Sequence, residues 1–413
     1  MVADAQRAVE EVYRADWGRI VATLIGMVGD FDLAEEAAQE AFAAAVDQWG
    51  ADGVPDYPRA WIVQTARHKA IDRLRRKSRW EAPLDEEAAA NLAAAEQPDP
   101  GGEIPDDRLR LIFTCCHPAL APEAQVPLAL RTLCGLETDE IARAFLVPTA
   151  TMAQRLVRAK KKIRAAGIPY VVPETKEMPA RLDAVLTVIY LVFNEGYAAT
   201  RGDGLVRTDL CAEAIRLGRL VRSLLAPRVP AEATALLALM LLQDARLDAR
   251  LDAAGDVVTL EEQDRGLWDR EQIAEALPLV GEALRGGGGG FAVQAAIAAV
   301  HCQAARAEDT DWPQIVRLYD VLVEVQPSPV VRLNRAVAVA MADGAEAGLA
   351  LIDELAGELD DYHLFHAARA DLLRRAGRFV EAGESYAKAL ALVTNDSERR
   401  YLEKRAREVG SGK

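Results

Sequence analysis

Apolar residues recur along this chain at helical spacing, and the alternating β-branched runs that mark strands are nearly absent. Val9, Val12, Tyr13, Trp17, Ile20, Val21 and Leu24 share one face of a first helix, which Gly26 to Gly29 should end. Asp32 is placed to cap the next, LAEEAAQEAFAAAV. Its apolar side is Leu33, Ala37, Ala41 and Ala45 with Phe42 beside it, so Glu35, Glu36, Gln39 and Glu40 are expected outside. A loop from Gly50 to Tyr57, rich in turn residues, precedes a long helix around Trp61 to Arg76, whose apolar positions are Trp61, Ile62, Thr65, Ala66, Ile71 and Leu74. Between Thr138 and Ile163 the pattern predicts two short helices and a turn. Thr138 can cap the first, with Asp139 and Glu140 in its opening turn and Ile141, Ala142 and Phe145 on its apolar face. Pro148 ends it, and Thr149 can cap the second. There Met152, Leu156, Ala159 and Ile163 form a buried stripe, leaving Thr151, Gln154, Arg155, Arg158 and Lys162 outward.

Charge adds chemistry to these elements. The whole chain of 413 residues carries a formal net charge of −15, which alone would argue against nucleic acid. The charge is unevenly placed, however: residues 108–168 hold 10 basic and 4 acidic side chains, whereas residues 81–107 hold 9 acidic and none basic. From Ile141 to Arg164 there are seven basic residues and no acid. An outward face of Arg, Gln and Thr can bond base edges in a major groove, and the trailing lysines suit phosphates. Seven more basic residues lie between Arg67 and Arg79 against the single acid Asp72, flanked by Trp49, Tyr57, Trp61 and Trp80. Aromatics interleaved with cations suit a single strand, by stacking and by neutralising its backbone.

The remaining composition narrows the class. Ala and Leu dominate and aromatics make up 6%, so the fold class is all-α, and the length implies two or three domains. The five cysteines, Cys115, Cys116, Cys134, Cys211 and Cys302, are an odd, scattered set that fits a reducing cytoplasm. Cys115, Cys116 and His117 lack the paired spacing of a metal site, and no metal or cofactor is expected. The longest apolar run, Ala184 to Phe193, is far short of a membrane span.

The order LAEEAAQEAF, then PRAWIVQTARHKAIDRLRR, then GLETDEIARAFLVPTATMAQRLVRAKKKI resembles the extracytoplasmic-function group of bacterial RNA polymerase sigma factors, in regions 2 and 4. The resemblance covers roughly the first 168 residues. It implies a region 2 domain over 1–80, an acidic flexible linker over 81–107 and a region 4 helix-turn-helix over 108–168. By the same resemblance, Glu35, Glu36, Gln39 and Glu40 match the segment that docks on the polymerase β′ clamp helices, and region 4 is expected against the β flap. Trp61, Arg67, Lys69, Arg73, Arg75 and Arg76 match the part that holds single-stranded DNA at the −10 element. Thr151, Gln154, Arg155, Arg158 and Lys162 match the helix that reads double-stranded −35 DNA. Pro127 is expected to interrupt the first helix of the region 4 match.

Residues 169–413 form a further helical domain, with 38 acidic and 28 basic residues. ADLLRRAGRFVEAGESYAKALAL, residues 370–392, resembles a tetratricopeptide repeat; such helix pairs offer concave surfaces to a protein or peptide partner. Asn194, Glu195, Tyr197, His301 and Cys302 follow no spacing that catalysis requires and read as buried or capping residues, and Gly286 to Gly290 as a loop. The expected function is therefore transcription initiation by binding rather than catalysis, with the C-terminal domain regulating it in cis. The alternatives are a conventional helix-turn-helix regulator with a ligand- or partner-binding domain, and an enzyme within residues 178–312 that the N-terminal part targets to DNA.

Overall fold

A computed structural model of the chain describes residues 2–78, 107–145, 147–198 and 206–410. The acidic stretch expected to link the two DNA-binding modules lies outside them, apart from Asp107. The described residues are helical almost throughout, with one isolated antiparallel bridge between Leu251 and Val257. They fall into two compact units, Met1–Val188 and Ile189–Lys413.

The first unit opens with three helices packed on one another, α1 (Val2–Val28), α2 (Phe31–Asp52) and α3 (Pro58–Ser78). The rings of Tyr13, Trp17 and Phe42 meet at centroid distances of 4.9 to 6.1 Å, beside buried Ile20, Leu24 and Ile62. The cap of α2 is Asp30 rather than Asp32. Its Oδ1 accepts from the N–H groups of Asp32 and Leu33 at 2.9 and 3.1 Å, which places Asp32 in the first turn, where the helix dipole favours a negative charge. Helix α2 continues to Asp52, so the loop is only Gly53–Tyr57.

Four more helices follow: α4 (Arg108–Cys115), α5 (Pro122–Ala129), α6 (Thr138–Ala144) and α7 (Thr149–Ala165). Met152, Leu156, Ala159 and Ile163 of α7 are buried, as their spacing predicts, and α7 packs on α5 and α6. Pro148, not Thr149, occupies the capping position. Leu146, in the turn between α6 and α7, lies outside the described residues. Pro127 acts differently from a simple break. It sits inside α5, where it has no N–H for the carbonyl one turn back, and the chain then widens into a π-helical turn, Leu130–Cys134, that Gly135 closes at φ +75°.

The second unit holds the end of α8 (Met178–Tyr197), then α9 (Thr208–Leu224), α10 (Ala231–Asp244), α11 (Arg270–Arg285) and α12 (Gly290–Gln303). Helix α10 is buried on nearly every side between α9, α11 and α12. The glycine run joins α11 to α12, and a carboxylate from another helix caps it: Glu232 accepts from the N–H groups of Gly289, Phe291 and Ala292 at 2.7, 3.0 and 3.3 Å. Helices α13 (Trp312–Val325), α14 (Pro329–Asp343), α15 (Ala345–Asp353), α16 (Ala356–Leu359), α17 (His363–Arg375), α18 (Phe379–Leu392) and α19 (Asp396–Gly410) complete the chain. Residues 370–392 fall on the α17–α18 pair, which turns at Gly377 (φ +74°) and buries Tyr386.

Candidate nucleic-acid and polymerase interface

Helix α7 separates its cations into two sets. Arg155, Arg158, Lys161 and Lys162 make no ion pair among the described residues, and Gln154, Arg158 and Lys162 are exposed beside half-buried Thr151 and Arg155. These are the side chains that the stripe Met152–Ile163 leaves outward. The other two cations face α2. Lys160 Nζ lies 2.9 Å from Asp32 Oδ1 and 3.0 Å from Glu35 Oε2, and Arg164 bonds Asp30 at 2.6 Å.

Glu35 is thus not on the outside with its neighbours. It is 6% exposed, held between Lys160 and Arg131, whose Nε is 3.7 Å away. Arg131 also reaches Glu137 at 2.8 Å and the Leu136 carbonyl at 3.0 Å. Burial works to lower the Lys160 ammonium, but Glu35 and Asp32 prevail and hold it above its usual value. Periodicity put Glu35 outside, and the structure overturns that because Lys160, 125 residues away in the chain, covers it.

The same contact is completed by the π turn. Tyr13 donates its hydroxyl to the Gly135 carbonyl at 2.9 Å, and Trp17 Nε1 donates to the Arg131 carbonyl at 3.3 Å. Burial, with Glu137 nearby, pushes the Tyr13 phenol up to about 12. Gly18 lies under the turn so closely that a Cβ there would stand 2.5 Å from the Leu133 carbonyl oxygen. The chain beyond α7 returns to α1, where Tyr170 donates to the Ala22 carbonyl at 2.7 Å.

The remaining expected residues are dispersed. Glu36 and Gln39 are exposed and Glu40 half-buried, but Arg73 of α3 bonds both Glu36 and Glu40, the latter through Nε at 3.0 Å. Arg75 is exposed and Lys69 half-buried, whereas Arg67 is 4% exposed and belongs to the interior. The side chain of Arg76 and all of Trp80 lie outside the described residues. Trp61 is half-buried edge-on against buried Trp49, centroids 5.6 Å apart, and Tyr57 stands exposed in the preceding loop. Cys115 and Cys116 are core residues; burial pushes the Cys115 thiol, 3.2 Å from the Thr132 hydroxyl, up to about 12. No described helix is long and apolar enough to cross a membrane.

Comparison with known proteins assigns these modules. Residues 12–80 match sigma-70 region 2, residues 110–163 match sigma-70 region 4, and residues 181–284 match a family of unknown function, DUF6596. An uncharacterized protein of Rhizobium meliloti (strain 1021), R00370, is 48% identical over 379 residues, 90% of this chain and 89% of that one. A probable ECF RNA polymerase sigma factor of Mycobacterium tuberculosis, SigI, is 29% identical over 163 residues, covering 39% of this chain and 56% of its own length. No solved structure matches. A region 2 bundle followed by a region 4 helix-turn-helix defines a transcription initiation factor of the sigma-70 type, a binder of core RNA polymerase and promoter DNA. More narrowly, the chain belongs to one family with R00370, and it joins these sigma-70 regions to a long C-terminal extension that holds the DUF6596 match.

Proposed function

We propose that α2 docks on the β′ clamp helices through Glu35, Glu36, Gln39 and Glu40. Lys69, Arg73, Arg75 and Arg76, with Tyr57 and Trp61, then take the melted −10 strand, and α7 reads the −35 duplex through Thr151, Gln154, Arg155, Arg158 and Lys162 while region 4 rests on the β flap. The observation that carries this reading is the division of α7, with an apolar stripe inward and an Arg, Lys and Gln face outward that makes no ion pair among the described residues. Arg67, being buried, serves by positioning α3 rather than by touching DNA. The Glu35–Lys160–Arg131 cluster marks a resting arrangement that opens when polymerase takes α2. Residues 169–413, net acidic and ending in helix pairs of tetratricopeptide type, regulate the factor in cis in the cytoplasm, with a protein or peptide as their partner.

The test is promoter-specific run-off transcription with bacterial core polymerase. Full-length protein is compared with a chain ending at Tyr197, which keeps α8 whole, and with Arg158→Ala. Initiation by at least one of the two lengths, reduced by Arg158→Ala, is expected. Absence of both core binding and initiation in both lengths would sink the reading in favour of a conventional repressor.

A further inference from the structure

The second unit contains a cavity of about 430 Å³ that the sigma-factor chemistry does not use. Its apolar lining includes Leu239, Ile297, Leu322 and Val331. Its polar lining includes Arg246, His301, Gln243, Gln294, Gln326 and Asn334. Among the described residues, no carboxylate lines it.

Arg246 sets the problem the cavity poses. It is 5% exposed, and among the described residues it has no ion-pair partner. One of its nitrogens donates to Gln243 Oε1, and its guanidinium carbon lies 5.9 Å from the Trp268 ring centre, but Nε is buried without a hydrogen-bond acceptor. His301, 9% exposed, likewise has Nδ1 unpartnered. Burial and the cations of Arg246 and Arg265 push its imidazole down to about 3, so it is neutral at physiological pH and supplies no second charge. A guanidinium taken out of water without a counter-charge is costly, and its planar fork matches a carboxylate. A single positive charge beside apolar lining suits a monoanion, because the second charge of a phosphate would stay uncompensated. The amides offer donors and acceptors together. Gln294 and Gln326 already bond each other at 3.2 Å, and Tyr190 donates to Gln294 at 3.4 Å, so one side of the chamber is a preformed polar network. The volume lies in the range of small-molecule sites.

We propose that this cavity binds a small organic monocarboxylate, its carboxylate on Arg246, its amide or hydroxyl groups on the Gln and Asn side chains and its apolar body against Leu239, Ile297 and Leu322. The C-terminal extension is then a metabolite-binding module, and a ligand selective for its folded form stabilises it by mass action.

The test uses full-length protein and no polymerase, so its outcome is independent of promoter activity. Isothermal titration and thermal shift are run with a panel of N-acetyl amino acids and C3 to C8 hydroxy and oxo acids. The uncharged amide of each compound and inorganic phosphate are run beside them. The expected result is saturable binding of one or more carboxylates, weakened by about tenfold or more in the amide twin and in Arg246→Gln. Asn334→Leu, which changes another lining residue and leaves Arg246 in place, is expected to weaken binding as well and guards against a folding defect in the first variant. No saturable binding across the panel overturns the proposal, as does equal binding by the amides, by phosphate alone, or by both variants.

Discussion

Glu35 faces two cations that are themselves almost buried, with Lys160 10% and Arg131 9% exposed at the side chain. Glu35→Gln removes the charge both share while leaving Asp32 and Glu137 in place, so the expected loss is about 2–4 kcal/mol in urea unfolding of the first unit. Asp32→Asn, at an exposed carboxylate, should cost under about 1 kcal/mol. Equal effects of the two would show that burial does not strengthen this cluster. His301 gives a pH prediction of opposite origin. Its folded value, about 3, lies below the unfolded value, so as pH falls from about 6.5 toward 3 the unfolded chain takes up a proton that the folded chain refuses. Stability is therefore full above about pH 6.5 and declines on acidification, by about 2 kcal/mol at pH 5. His301→Gln should remove that share of the pH dependence, with tryptophan fluorescence as the readout because Trp312 packs edge-on at 5.2 Å.

At the scale of elements, α7 was readable because its information is local. Four apolar residues at helical spacing specify the inner face, and charge on the other three sides specifies what remains. If Arg155, Arg158, Lys161 and Lys162 meet phosphates, binding of a −35 duplex should fall with salt at a log–log slope of about −3 to −4. Lys162→Ala should reduce the slope by about one, and Lys160→Ala should leave it unchanged, because that ammonium is engaged with Glu35. The π turn was not readable. Pro127 announced a disturbance, but its form follows from what α1 offers, namely the hydroxyl of Tyr13, the indole N–H of Trp17 and the empty space at Gly18. Gly18→Ala is expected to cost about 1–3 kcal/mol by pressing a methyl on the Leu133 carbonyl. An unchanged urea midpoint would mean that the turn gives way. The Asp30 cap lay two residues from the one the sequence favoured, the ordinary uncertainty where two acids flank a helix start.

For the whole molecule, the net charge of −15 hides a division of labour that only segment counts expose. The helical class, the order of the modules and the outward face of α7 were legible in the sequence. The burial of Glu35, the interior place of Arg67 and the cavity around Arg246 were not, because each depends on residues far apart in the chain. A dye pair on Val46→Cys of α2 and Val157→Cys of α7, both exposed, reports the resting arrangement directly. Energy transfer should drop when core polymerase is added and should start lower in Glu35→Gln. Transfer that stays constant through polymerase binding would rule out an opening step.

On the proposed docking role of Glu35, its burial makes the factor a buffered supply. Polymerase meets only the open fraction, so a chain that is open about one time in ten captures it as though its affinity were tenfold weaker. Small changes in the strength of one ion cluster then move the copy number at which transcription switches on, with no alteration of any residue that touches DNA.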